Sequence, residues 1–104
     1  MVTLTIHSER RGAAHHVAVS GELDIASVEQ LERVLLDVEQ ADGEPIVLDL
    51  TGLDFIDSTG LRLVLDANAR CGGPNGRLAI AGSPAVERLL DIVGLRERLP
   101  LITP

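Results

Sequence analysis

The spacing of apolar residues changes repeatedly along this chain, and that alternation constrains its fold more than any single motif. Val2-Thr3-Leu4-Thr5-Ile6 alternates apolar and polar with period two, the mark of a strand with one buried face. Val17-Ala18-Val19 reads as a second strand. The Arg10-Arg11-Gly12 stretch between them suits a hairpin, so this pair is expected to be antiparallel. After Gly21 the period lengthens. Val28, Leu31, Val34, Leu35 and Val38 fall on one face of a helix, and Glu29, Arg33 and Asp37 form a charge stripe on the solvent side. Ser27 and Gln30 have capping-box spacing, while Asp24 would cap a helix that starts earlier. Asp42-Gly43 and Pro45 close the helix.

Ile46-Val47-Leu48-Asp49-Leu50 is a short, nearly continuous apolar run, which predicts a central strand covered on both faces. Thr51 to Ser58 reads as a loop. A second helix is expected from near Thr59 or Gly60, with Leu61, Val64 and Leu65 inward and Arg62, Asp66 and Arg70 outward. The run Cys71-Gly72-Gly73-Pro74-Asn75-Gly76 breaks it, and Leu78-Ala79-Ile80-Ala81 makes a further buried strand. Ser83-Pro84 opens a third helix, with serine as cap and proline at the first helical position. Its inward stripe is Val86, Leu89, Leu90 and Val93, and Gly94 ends it. The tail from Leu95 has room for one more helical turn and an edge strand around Leu101-Ile102.

The order is therefore β-β-α-β-α-β-α. Strand–helix–strand crossovers need parallel neighbours and are right-handed. The expected architecture is a single α/β domain over residues 1–104: a mixed sheet of four or five strands, flanked by three to four helices on at least one face. It has an N-terminal antiparallel pair followed by parallel strands.

Composition then excludes several function classes. With 104 residues and 45% apolar content, one domain can bury a core without staples. The single cysteine, Cys71, excludes an internal disulfide and points to a reducing compartment; at a helix end it reads as a packing residue. The formal charge is −7 and every basic residue is arginine, so no nucleic-acid partner is expected. No apolar run approaches the roughly 20 residues that span a bilayer. The N-terminus lacks the basic region and long apolar core of a signal peptide. These features predict a cytoplasmic protein with no membrane insertion.

The informative segment is Asp57-Ser58-Thr59-Gly60-Leu61, at the opening of the second helix. Amides of residues 59 to 61 have no partner inside the helix, and the helix dipole puts partial positive charge there, so a phosphate is tolerated. Gly60 would let a protein surface or phosphate approach the backbone. Plain N-capping by Asp57 or Ser58, with Gly60 marking a tight entry, explains the same residues without any partner. Ser58 as a catalytic nucleophile lacks a base, because His7, His15 and His16 all lie in or beside the N-terminal hairpin. Adjacent His15 and His16 point to opposite faces of a strand, and there is no Gly-x-Ser-x-Gly elbow. His7 and His15 facing one another across the hairpin would make a poor metal site, so no metal is expected. Asp24, Asp54 and Asp57 are carboxylates near helix openings, with no sign of an acid/base pocket. The glycine-rich run after Cys71 follows a helix and precedes a strand, the reverse of a phosphate loop, and the chain has no lysine. No cofactor is expected.

Gly21-Glu22-Leu23-Asp24, Leu48-Asp49-Leu50 and Phe55-Ile56-Asp57-Ser58-Thr59-Gly60-Leu61 together resemble the STAS domain, and more narrowly the bacterial anti-sigma factor antagonists. The likeness covers nearly the whole chain. It implies a non-enzymatic regulator that binds an anti-sigma factor, itself a serine kinase of histidine-kinase-like ATPase fold, and so frees a sigma factor. The kinase would phosphorylate Ser58 and release its antagonist, and a metal-dependent serine phosphatase would reverse the mark. The implied partner-binding residues are Asp24, Asp57, Ser58, Thr59, Gly60, Leu61 and Arg62. Arg62 departs from the family, where many relatives carry something smaller, and could pair with a phosphate on Ser58. A STAS module of another assembly, such as a lipid-transporter subunit or a stress-sensing complex, is the alternative. The apolar edge at Leu99 to Ile102 leaves a monomer or a weak dimer open.

Overall fold

The computed structural model describes residues 3–73 and 76–102. In chain order the elements are β1 (Thr5–Arg11), β2 (Ala14–Leu23), α1 (Val28–Ala41), β3 (Ile46–Ile56), α2 (Ser58–Cys71), β4 (Leu78–Ala81) and α3 (Pro84–Val93). A 3₁₀ turn (Arg96–Arg98) and β5 (Leu101–Ile102) follow. One five-stranded sheet runs β1-β2-β3-β4-β5; β1 and β2 are antiparallel and every later pair is parallel. This is the predicted class, with three α-helices.

Each crossover steps one strand further in the same direction, and right-handed connections of that kind return over the same face. α1 and α2 touch each other, and α3 packs against β3. Burial alternates accordingly. Val17, Val19, Ile46, Leu48, Leu50 and Ile80 are sealed, in one cluster with Leu31, Leu35, Val64, Val86 and Leu90 of the helices. The opposite face, with His16, Ala18, Val47 and Asp49, is only half-buried. The expectation that β3 is covered on both faces is therefore corrected. Asp49, in the middle of the apolar run, is the residue that tolerates water on that side.

Other boundaries also move. Thr51 to Ile56 is strand, not loop, because β2 runs on beside it: Ser20 pairs with Gly52, Gly21 with Leu53 and Leu23 with Ile56. Buried Leu53 and Ile56 carry this extension. The hairpin is longer than predicted, and Val2 lies outside the described residues. His7 stands opposite Ala18, His15 opposite Arg10 and His16 opposite Glu9, so His7 and His15 do not face each other. Val93, predicted inward, is exposed near the end of α3. Leu99 is buried and β5 pairs with β4, which covers most of the apolar tail within the molecule. The expected break after α2 includes residues 74–75, which lie outside the described ones.

Candidate functional site

β2 and β3 are parallel neighbours that end level, Leu23 beside Ile56. Whatever follows each strand must therefore meet at that edge of the sheet. A turn through Asp24–Ser27 follows β2; Asp57 and the start of α2 follow β3. The sequence separates these segments by a whole crossover, and the sheet brings them together.

Asp57 joins them. Its backbone is extended, and its N–H donates to the Leu23 carbonyl at 3.1 Å. One carboxylate oxygen, Oδ1, accepts the Gly60 N–H at 2.9 Å and caps α2; the other, Oδ2, accepts the Ile25 N–H at 3.2 Å. A single side chain thus caps one helix and pins the turn that leads into the other. Of the two N-caps considered for α2, Asp57 is the one used.

The turn itself is built on Asp24 rather than on a Ser27 capping box. Asp24 Oδ1 accepts from the N–H groups of Ala26 (2.9 Å) and Ser27 (3.1 Å). Ser27 Oγ accepts from the Asp24 N–H and donates back to the Glu22 carbonyl, so it makes no side-chain cap to α1. Gly21 allows the approach to this turn: its φ is +96°, and a Cβ there would fall 2.0 Å from the Thr3 carbonyl oxygen.

Gly60 has a different reason from the one expected. A Cβ would stand 2.7 Å from Leu23 Cγ and 2.9 Å from the Leu23 carbonyl oxygen. What approaches Gly60 is the end of β2, not an outside surface. Leu61 is 3% exposed. Both residues therefore shape the site from beneath.

Ser58 is exposed as the first residue of α2. Among the described residues its side chain makes no hydrogen bond, and the amides of Ser58 and Thr59 have no backbone partner. The Leu61 amide bonds the Asp57 carbonyl at 2.9 Å and Gly60 is taken by the cap, so the free amides are fewer than predicted and lie at the very first turn. Thr59 is half-buried and Arg62 exposed.

Sequence reasoning missed Ile25, at 76% the most exposed large apolar side chain among the described residues, whose backbone amide is held by the Asp57 carboxylate. Phe55, at 46%, stands opposite Glu22 near the same edge. An isoleucine between Asp24 and Ala26 shows no periodicity, so only its exposure reveals it. Among the described residues, no group of three or more His, Cys, Asp or Glu is placed to hold a metal, and no helix is long and apolar enough to cross a membrane.

A family model described as "Mlab, STAS domain" matches residues 6–103. The chain belongs to the STAS domain family. STAS domains of this family are non-catalytic protein-interaction modules. The anti-sigma-B factor antagonist of Staphylococcus epidermidis is 32% identical over 97 residues, which is 92% of this chain and 90% of that one. An anti-sigma factor antagonist from Mycobacterium paratuberculosis superposes with a TM-score of 0.82 at 29% identity, covering 98% of this chain and 86% of that one. SpoIIAA, an anti-sigma factor antagonist solved in its unphosphorylated form, superposes with a TM-score of 0.69 at 25% identity, covering 95% and 89%. The match to this STAS domain is thus end to end, and the Asp57-Ser58 edge lies inside it.

Proposed function

We propose that this protein is an anti-sigma factor antagonist whose docking surface is the joined edge around Ser58, and that phosphorylation of Ser58 switches it off. The observation that carries this is the exposed Ser58 hydroxyl, without a protein partner, on a frame locked by Asp57. A free hydroxyl there meets both needs of a switch: a kinase can reach it, and it weakens no internal contact when modified. Relatives named as anti-sigma factor antagonists, one of them solved in an explicitly unphosphorylated form, support the reading.

The chain acts as one cytoplasmic module over residues 1–104, a monomer or weak dimer. It docks an anti-sigma factor that is a serine kinase of histidine-kinase-like ATPase fold; a metal-dependent serine phosphatase resets it. Asp24, Asp57, Ser58, Thr59 and Arg62 form the contact rim, with Gly60 and Leu61 holding it up. Phosphorylation adds about −1.5 to −2 charges at pH 7. The folded domain accommodates them at the two free amides. The interface meets a strongly hydrated dianion where it had a hydroxyl, and desolvating that group costs enough to release the partner.

Incubating the protein with the bound kinase and ATP, followed by mass spectrometry, is expected to place one phosphate on Ser58. Ser58→Ala should bind the kinase persistently, and Ser58→Glu should bind at least about 100-fold more weakly, a loss of about 2.8 kcal/mol. Phosphate found only elsewhere, or equal affinity of the two variants, overturns the assignment.

A further inference from the structure

We propose that Arg62 is a positioning residue that holds the Ser58 phosphate against α2, an inference that rests on Ser58 being the phosphoacceptor. Ser58 and Arg62 are four residues apart on one helix, so they share a face. Helical side chains lean toward the N-terminus, which carries an arginine at the later position back over the turn that begins with Ser58.

The local charge balance gives this arginine little else to do. A cation near a helix N-terminus opposes the helix dipole. The first turn of α2 contains no acidic residue to offset it. Asp57, the cap of α2, has an oxygen committed to each of the Gly60 and Ile25 amides, and Asp24 Oδ1 is taken by the Ala26 and Ser27 amides. Among the described residues Arg62 forms no salt bridge, like Arg33, Arg77, Arg88 and Arg98 and unlike Arg10, Arg11, Arg70 and Arg96; what sets it apart is its place one turn after Ser58. Glu32 of α1 and Asp66 of α2 line the same shallow depression as Arg62 and Thr59, without reaching salt-bridge distance. The unmodified helix thus carries, one turn from Ser58, an exposed guanidinium with no salt-bridge partner among the described residues. A dianion on Ser58 supplies the missing partner, in the forked geometry that guanidinium and phosphate share.

The contact has a spectroscopic signature that simple surface exposure lacks. Phosphoserine is installed at position 58 during translation, so that no kinase is needed, and the phosphate is titrated by ³¹P NMR. Asp24, Asp57, Glu32 and Asp66 act on the phosphate in every variant, so the comparison is between variants. In the parent protein the second ionisation should fall roughly half a pH unit below that of Arg62→Gln, the shift an exposed ion pair produces. Arg62→Lys, which keeps the charge and loses the fork, should lie between them. A broad-specificity phosphatase should remove the phosphate several-fold faster from Arg62→Gln. Coincident titration midpoints in all three proteins overturn the proposal. That outcome leaves the Ser58 switch standing, because the switch is read by kinase binding and this contact by titration of an installed phosphate.

Discussion

Asp57 shows how much of the site rests on one side chain. Both carboxylate oxygens accept backbone amides, one from each of the two segments that meet at the sheet edge. Asp57→Ala leaves both without partners and should cost about 1–2 kcal/mol in a urea titration, the usual loss for an N-cap. Asp57→Asn keeps an acceptor for Gly60 but turns a carboxamide NH2, a donor, toward the Ile25 N–H, so its loss should be smaller. Equal losses in both variants, or none in the alanine, would remove Asp57 from this role. Gly60 is the converse case, where a missing side chain does the work. Gly60→Ala gains up to about 1 kcal/mol of helix propensity. It also drives a methyl group against the Leu23 carbonyl, and such overpacking costs about 1–3 kcal/mol. Backbone cannot step aside as a side chain can, so the variant should be the less stable one; a raised unfolding midpoint would contradict this. The sequence offers the same glycine to either explanation, a partner outside or a strand inside. Only its distance to Leu23 distinguishes them.

At the scale of elements, α1 and α2 are clamped at their far ends from the site. Arg70 of α2 donates two hydrogen bonds to Glu39 of α1, at 2.9 and 3.0 Å. Arg77, just before β4, donates to the carbonyls of Glu39 and Glu44, giving the end of α1 the cation that its own last turn lacks. The hydrogen bond from Arg70 holds the Glu39 carboxyl below its ordinary value of 4.5, against burial, which acts the other way. A depressed carboxylate contributes stability above its unfolded pKa and loses it as pH falls through the folded one. Glu39→Gln should therefore be less stable than the parent at neutral pH, and the gap should narrow in the acid range below about 4.5. Denaturant midpoints across that range measure it; a gap independent of pH would detach Glu39 from the clamp.

Helix faces such as those of α1 and α2 were legible because their apolar stripes are local. The second half of β3 was not. Thr51, Gly52 and Asp54 resemble loop, and they become strand only because distant β2 lies alongside. Val47 misled for the same kind of reason: an apolar residue counts as buried in a sequence, whereas in the sheet its face has no helix over it. The functional edge divided likewise. Its central motif, Asp57 to Leu61, is contiguous and could be read directly. Ile25 reaches it only through a hydrogen bond across a crossover.

For the whole molecule, the sign of the charge limits how the proposed switch can work. The chain carries −7 before modification, and phosphate takes it to roughly −9. Glu22, Asp24, Asp54 and Asp57 lie at or near the sheet edge proposed for docking, so a partner surface complementary to it would be basic, with an apolar seat for Ile25. Added negative charge then strengthens long-range attraction to such a surface. Release must come from contact distance, where the dianion has to shed its water, and it belongs in the dissociation rate. Binding kinetics separate the two terms. Raising salt from about 0.05 to 0.5 M should slow association several-fold and change dissociation little, as expected for steered encounter. Ile25→Ala should mainly speed dissociation, because it removes an apolar anchor without altering charge. Phosphoserine at position 58 should leave association at low salt equal or faster and raise dissociation by orders of magnitude. If the modified protein instead fails to associate at low salt while preformed complexes persist, release acts at a distance, and the partner surface is not the basic one this edge calls for.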